Sequence, residues 1–464
     1  MIRRVLSTCA VLALVAVGIL LMPAPVVDEA VFHMREVSAF EEAMRAFEED
    51  LSYSLMRGHR QQCSTEPDVQ VSAYPKLTSQ NPFYGCVAFD KGYREPGPGI
   101  RFCFVVDESG GTGTGYDRLI FDVNRDLDLT NDGVLAPMKD PPPAVTRSWS
   151  VRRTVYFDYL TVPIDHGPAL GTRPFRILPR LVVWESGQAA FFFVSTVARK
   201  GKIMIAGDRY EALLGQPRLI SGRFDRHFAG LDLNPIGSSQ AREHWVGSDW
   251  LGAMRKVDGT YYCLSATPLG DKLTVRPYRG DFGVFEVGAG ARDITKVAMH
   301  GSLAAKTTAV AVGEVKDGNP EKTRRCRLPV GDYLSAYLMI DYGRLGLSIS
   351  ENYHSDGYRS DRRGRPSVFG IKIRKDRPYV LDFSNKPAVM FISPAKEQRF
   401  APGDTINVRA VLTDPGLDMM IRGLKDMTRK ERKHSHVVGR SLEPTATISD
   451  SRGRRVAQGV MPFG

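Results

Sequence analysis

Beyond Arg60 the chain breaks into short apolar runs punctuated by Gly, Pro, Asn and Asp, and this texture restricts what it can fold into. Runs at 100–106, 154–162, 189–195, 272–276 and 337–340 are strand-length and rich in β-branched and aromatic residues. Bounded by turn formers, such runs predict antiparallel sheet. The 44 Gly and 29 Pro supply the turns. No series of helical segments alternates with the strands, which disfavours a doubly wound α/β fold. The apolar fraction of 42% and charged fraction of 25% belong to a chain with real cores. The expected fold is mainly β: several antiparallel sandwich-like domains with one N-terminal amphipathic helix.

That helix is expected within 26–59. Val31, Met34, Val37, Phe40, Met44, Phe47, Leu51 and Leu55 recur at spacings of three and four, with acids on the other faces. Before it, Met1-Ile-Arg3-Arg4 leads into an apolar run from Val5 to Met22. A basic head and an apolar body direct a chain into or across a membrane. Residues 1–25 therefore read as an uncleaved anchor or a cleaved signal, with a buried helix as the third possibility. The arginines precede the run, so the rest is expected outside the cytoplasm. Stiff breaks at Pro141-Pro-Pro143 and near Asn385-Lys386-Pro387 mark two boundaries, and with a further division at 265/266 the expected domains are 60–143, 144–265, 266–385 and 386–464.

Cys63, Cys86, Cys103, Cys263 and Cys326 follow the apolar segment without C-x-x-C spacing. A thiolate zinc site is improbable on that spacing. An exported location permits disulfides. A bridge among Cys63, Cys86 and Cys103 is expected; the competing reading keeps all five as small buried thiols.

One stretch carries a specific chemical signal. Asp122-Val-Asn124-Arg-Asp126-Leu-Asp128-Leu-Thr130-Asn131-Asp132-Gly133 places oxygen side chains at alternate positions, directly after the apolar run 119–121. Alternate residues of a looping backbone can converge on a hard cation. Crowded aspartates repel one another without one. Asp122, Asn124, Asp126, Asp128, Thr130 and Asp132 are the candidate ligands, and Ca²⁺ is the expected ion. The stretch resembles the calcium loops of EF-hand, dockerin and thrombospondin-type proteins. It departs from them at the sixth position, where Leu127 replaces a glycine, and at the twelfth, where Gly133 replaces an acid. A frame starting at Asp128 gains Gly133 as its glycine but has only Asp140 as a closing acid. The rival reading is an Asx-rich turn that satisfies its own backbone.

Near the C-terminus, the apolar run 388–394, Phe400-Ala-Pro-Gly-Asp404 and the alternating run 405–412 resemble the opening of bacterial immunoglobulin-like domains. Residues 445–459 fit a closing hairpin. The resemblance implies a sandwich over 386–464 and no activity. Leu417–Lys425 reads as helical or irregular. In its combination of an Asp-rich loop with such a sandwich, the chain resembles exported bacterial β-rich proteins.

Other motifs carry less. Ser109-Gly-Gly-Thr-Gly-Thr-Gly115 lacks either phosphate-binding Gly pattern and reads as a hairpin tip. His354 with Asp356 offers a proton-transfer pair, yet no nucleophile elbow and no H-E-x-x-H accompanies it. Asp165-His166 and Glu243-His244 are weaker still. Trp245 and Trp250 beside Asp249 could form a sugar platform or a core. The net charge of +11 attracts anions. Basic residues gather at 359–377 and again at Arg429, Lys430, Arg432 and Lys433, the expected anion-binding group. Without aromatic interleaving, and outside the cytoplasm, an acidic glycan or anionic envelope component is expected rather than nucleic acid.

The chain thus reads as an exported or membrane-anchored, non-enzymatic envelope or surface protein: structural, adhesive or glycan-binding, with a structural calcium loop. The alternative is an extracytoplasmic hydrolase of polysaccharide or peptide using Asp and His residues.

Overall fold

A computed structural model describes residues 29–48, 58–90, 99–142, 151–236, 250–257, 259–288, 297–316, 319–321, 323–352, 370–383, 386–394, 398–401, 403–414, 417, 419–433 and 436–461. The described chain is mainly β, with many antiparallel sheets and one helix.

The first pair of sheets positions the Asp-rich loop. One sheet runs Phe83–Phe89, Ile100–Asp107, Arg118–Phe121, Val134–Leu135. The other runs His59–Gln62, Ala189–Ser195, Thr172–Trp184, Val151–Tyr156, with Leu160–Asp165 also on the long third strand. Alternation decides what lies between them. Phe102, Phe104 and Val106 point into a core shared with Phe89, Phe121, Phe157, Phe191 and Phe193. Cys103 and Val105 point to the opposite face. The rings meet edge-on as well as stacked, as at Phe104 and Phe191 (4.9 Å). This core draws on residues either side of the Pro141–Pro143 break.

A second pair of sheets shares another core. Ala30–His33, Lys272–Pro277, Thr260–Ala266 and Arg255–Val257 form one; Gly230–Pro235, Asp208–Gly215, Val197–Ile205 and Arg35–Ser38 form the other. The expected N-terminal helix is therefore shorter than its periodicity suggests, covering Ala39–Glu48. The segment before it is strand, with Ala30 opposite Val275 and Val37 opposite Ala198. Pairing with sheet edges overrides helical spacing there. Ser38 marks the switch, its Oγ accepting the Glu41 N–H (3.3 Å). Ala39 and Ala43 bury against Leu178, Val194 and Leu213. Glu42 bonds Lys200 (3.1 Å) and Arg45 bonds Glu211 (2.9 Å), tying the helix to the sheet. The rest of the expected helix, 49–57, lies outside the described residues.

A third core lies between Arg325–Pro329, Phe282–Val287, Tyr379–Leu381 and a nine-stranded sheet. That sheet includes Ala298–Ala304, Gly331–Asp341, Leu345–Asn352, Met419–Lys433, Arg409–Asp414 and Ala388–Ser393. Hydrogen bonds between Leu345–Asn352 and Met419–Lys433 carry the sheet across the boundary expected near 386. Residues 419–425 are strand, not helix, because Met419 and Ile421 fill this core. The hairpin of Thr445–Ser449 with Arg455–Val460 pairs as its turn suggests and is largely exposed.

Among the described residues no helix is long and apolar enough to cross a membrane. The apolar run Val5–Met22 lies outside them.

Candidate metal centre

The strand Arg118–Phe121 delivers Asp122 to the edge of the first core. Its N–H donates to the Cys103 carbonyl (2.9 Å), and its side chain is fully buried. From there the chain winds through a ladder of Asx turns. Asn124 Oδ1 accepts the Asp126 N–H (3.1 Å), Asp126 Oδ1 that of Asp128 (2.9 Å), and Asp128 Oδ1 that of Thr130 (2.9 Å). Arg125 and Leu127 adopt left-handed backbone conformations, at φ 62° and 65°. Each costs about 1 kcal/mol for a residue with a Cβ. Leu127 therefore takes at the sixth position the conformation for which a glycine is usual. Its side chain packs beside Tyr84, Val105 and Ile120, and Leu129 is buried in the same layer. That contact explains a leucine where the motif favours glycine.

The loop is bolted down from outside. Ser72 donates its N–H and its Oγ to the Leu127 carbonyl (2.8 and 2.7 Å), and Leu129 N–H reaches the Ala73 carbonyl (3.0 Å). Asp132 folds back to the loop's start, where its Oδ1 accepts the Val123 N–H (3.3 Å).

Two carboxylate oxygens are left over. Asp122 Oδ2 accepts the Leu127 N–H (3.1 Å), but Asp122 Oδ1 is buried without a hydrogen-bond partner. Asp132 Oδ2 is in the same condition. Burial, then the charges of Asp122, Asp126 and Asp128, push the Asp132 carboxyl up to about 6. Unpartnered buried carboxylate oxygens are costly, and a hard cation is the group that relieves them. The outer side chains are occupied differently. Asp126 Oδ2 accepts from Asn124 (2.9 Å) and Asn131 (2.8 Å), and Thr130 Oγ1 donates to Asp128 (2.6 Å). Among the described residues no three His, Cys, Asp or Glu side chains converge as a finished ligand set. Asp122 and Asp132 thus fit a cation, and Asn124, Asp126, Asp128 and Thr130 would each rearrange or use a remaining lone pair to join them.

The Gly-rich run 109–115 wraps around the acid immediately before it. Glu108, fully buried, accepts hydrogen bonds from Ser79 Oγ (3.1 Å), Thr112 Oγ1 (2.7 Å) and the N–H groups of Gly113, Thr114 and Gly115. Burial raises its pKa, but the bonds from Thr112, Gly113, Gly115 and Ser79 outweigh that and hold it at about 2. The run is an anion nest filled by the chain's own carboxylate. The acid pair Asp107-Glu108 just before the glycines was the available signal. Asp107, also buried, accepts the Thr78 and Ser79 N–H groups and pairs with Arg118 (3.2 Å).

No family model, curated protein or solved structure matches the chain.

The remaining candidates stand apart from the loop. His166 is buried and lies below its ordinary pKa through burial and nearby Arg223. His354, Asp356, His244, Trp245 and Asp249 lie outside the described residues. Of the basic groups, Arg374 pairs with Asp332 (2.6 Å) and Lys375 with Asp281 (2.9 Å). Arg429 lies 3.6 Å from Asp426. Lys430, Arg432 and Lys433 continue the same strand, and their side chains lie outside the described set.

Proposed function

We propose that this chain is a non-enzymatic, extracytoplasmic envelope or surface protein whose first sandwich is held rigid by Ca²⁺ at the 122–132 loop. The observation that carries the reading is the pair of buried, unpartnered oxygens, Asp122 Oδ1 and Asp132 Oδ2, at the two ends of one loop. Asn124, Asp126, Asp128 and Thr130 complete the candidate set. The ion's part is structural: it neutralises carboxylates that otherwise repel, and it fastens a loop already anchored by Leu127 and Leu129. The Cys86–Cys103 disulfide agrees with an oxidising compartment, as does the basic-then-apolar N-terminus with membrane attachment or export. The surplus of positive charge, with Arg429, Lys430, Arg432 and Lys433 on one strand, favours an acidic glycan or anionic envelope component as partner.

Titration calorimetry and a thermal scan of the full-length chain test the reading. Millimolar Ca²⁺ is expected to give binding heat and a higher Tm, with Mg²⁺ much weaker. Absence of both heat and shift removes the calcium.

A further inference from the structure

The Cys86–Cys103 disulfide lies directly beneath the loop. The two cysteines are exact register partners on Phe83–Phe89 and Ile100–Asp107. Cys103 is buried and its carbonyl accepts the Asp122 N–H, so the strand that carries the bridge also holds the loop's first candidate ligand. On the face away from the phenylalanine core, both cysteines share one apolar layer with Leu127, Leu129, Val71, Tyr74 and Tyr84. The segment that closes this layer is fixed at three points: Ser72 to Leu127, Leu129 to Ala73, and Asp68 to Arg101 (2.6 Å). Loop, covering segment and sulfurs are therefore one packed unit. Cys86 is the partly exposed end of the bridge.

We propose that the disulfide and the cation loop are thermodynamically coupled: calcium at Asp122 and Asp132 retards reduction of Cys86–Cys103, and reduction weakens calcium binding. The inference rests on the calcium reading above. A dithiol reductant would attack the Cys86 sulfur through its thiolate and expel the Cys103 thiolate. Its second thiol then attacks the mixed disulfide and releases Cys86. The reductant leaves as a cyclic disulfide, two electrons poorer, and Cys86 and Cys103 each end as thiols. Release of the buried Cys103 thiolate must part the layer that Leu127 and the covering segment close, and calcium holds that layer shut. In the opposite direction, a broken bridge leaves the layer looser, so gathering the carboxylates costs more ordering. Linkage requires the shift that calcium produces in the reduction equilibrium to equal the change in calcium affinity on reduction; the rates are not bound by that equality.

The test uses the full-length oxidised chain with its other thiols alkylated. Dithiothreitol is added with 2 mM CaCl₂, 2 mM MgCl₂ or EDTA, aliquots are trapped with a maleimide, and the mass gain is followed. Reduction is expected to be slower in Ca²⁺ than in EDTA by about fivefold or more, the lower end of ordinary coupling. The calorimetric Kd for Ca²⁺ should weaken by about fivefold or more in the reduced protein. Asp122→Asn should narrow the difference in reduction rate between Ca²⁺ and EDTA. Binding heat together with an unchanged Ca²⁺ Kd in the reduced protein overturns the coupling and leaves the calcium site standing. No binding heat in either redox state overturns both. A Cys86→Ser/Cys103→Ser variant repeats the affinity arm, and the reversibly reduced wild type decides the matter where that variant does not fold.

Discussion

The carboxylate of Asp132 reaches back to the N–H of Val123, so the loop closes on the residue next to Asp122. This places an acid from the loop's end against its beginning. Asp132, one position before Gly133, is thus the acid whose side chain bonds back to the start of the loop.

Asp122→Asn follows directly. It removes the charge of the only fully buried acid in the loop. Calcium affinity is expected to fall at least about tenfold, because the number of charged ligands sets affinity in such sites. In the parent, Ca²⁺ at about 100 times its Kd adds about 2.7 kcal/mol, and a variant weaker by about tenfold should lose about half of that gain. In EDTA the variant should melt no lower than the parent, since an uncompensated charge is gone. Scanning calorimetry with and without Ca²⁺ reads both effects.

Glu108 governs stability in acid. Its folded pKa is depressed from 4.5 to about 2, so its contribution is complete above about pH 4.5 and disappears as pH falls toward 2. Glu108→Gln replaces one acceptor oxygen with an NH₂ facing N–H donors. A loss of about 1–3 kcal/mol is expected at pH 7. The urea midpoint of the variant should vary less between pH 4.5 and 2.

His59 acts in a higher window. Burial lowers its pKa to about 4, and its Nδ1 accepts the Ile220 N–H (3.4 Å) as a neutral ring. The unfolded chain takes up a proton near pH 6.5 while the folded chain does not, so stability drops as pH falls from 6.5 to 4. His59→Phe should flatten the urea midpoint across that interval and leave the Glu108 window unchanged.

Gly85 lies opposite Phe104 in register, and a Cβ built there would sit 2.5 Å from the ring's Cζ. That ring also packs on Phe191 and Phe193, which restricts its retreat. Gly85→Ala should cost about 1–3 kcal/mol by equilibrium unfolding. In a Phe104→Leu background the added cost should shrink, a coupling that a double-mutant cycle measures.

Strand-forming runs were legible because alternation survives in single stretches such as 100–106, where Phe102 and Phe104 face one way and Cys103 and Val105 the other. The disulfide neighbourhood was legible as well, since Cys86 and Cys103 stand on neighbouring strands. Local pattern said less where distant pairing decides. Val31 and Met34 are spaced for a helix, yet Val31 pairs with Thr274. Residues 417–425 read as helical or irregular on local pattern alone, because the core that accepts Met419 and Ile421 comes from residues far upstream. In the loop, the oxygen ladder was visible in the spacing. The left-handed turn at Leu127 was hidden, because a leucine is tolerated there only through the apolar layer beneath it.

Among the described residues, the strand Ala30–His33 is hydrogen-bonded to Lys272–Pro277 and to no strand nearer in sequence. During synthesis its hydrogen-bonding partner emerges from the ribosome only about 240 residues later. The second sandwich is therefore a late assembly, with a slow closure set by its long-range pairing. Until then, its waiting edges are exposed to mispairing and to capture by chaperones.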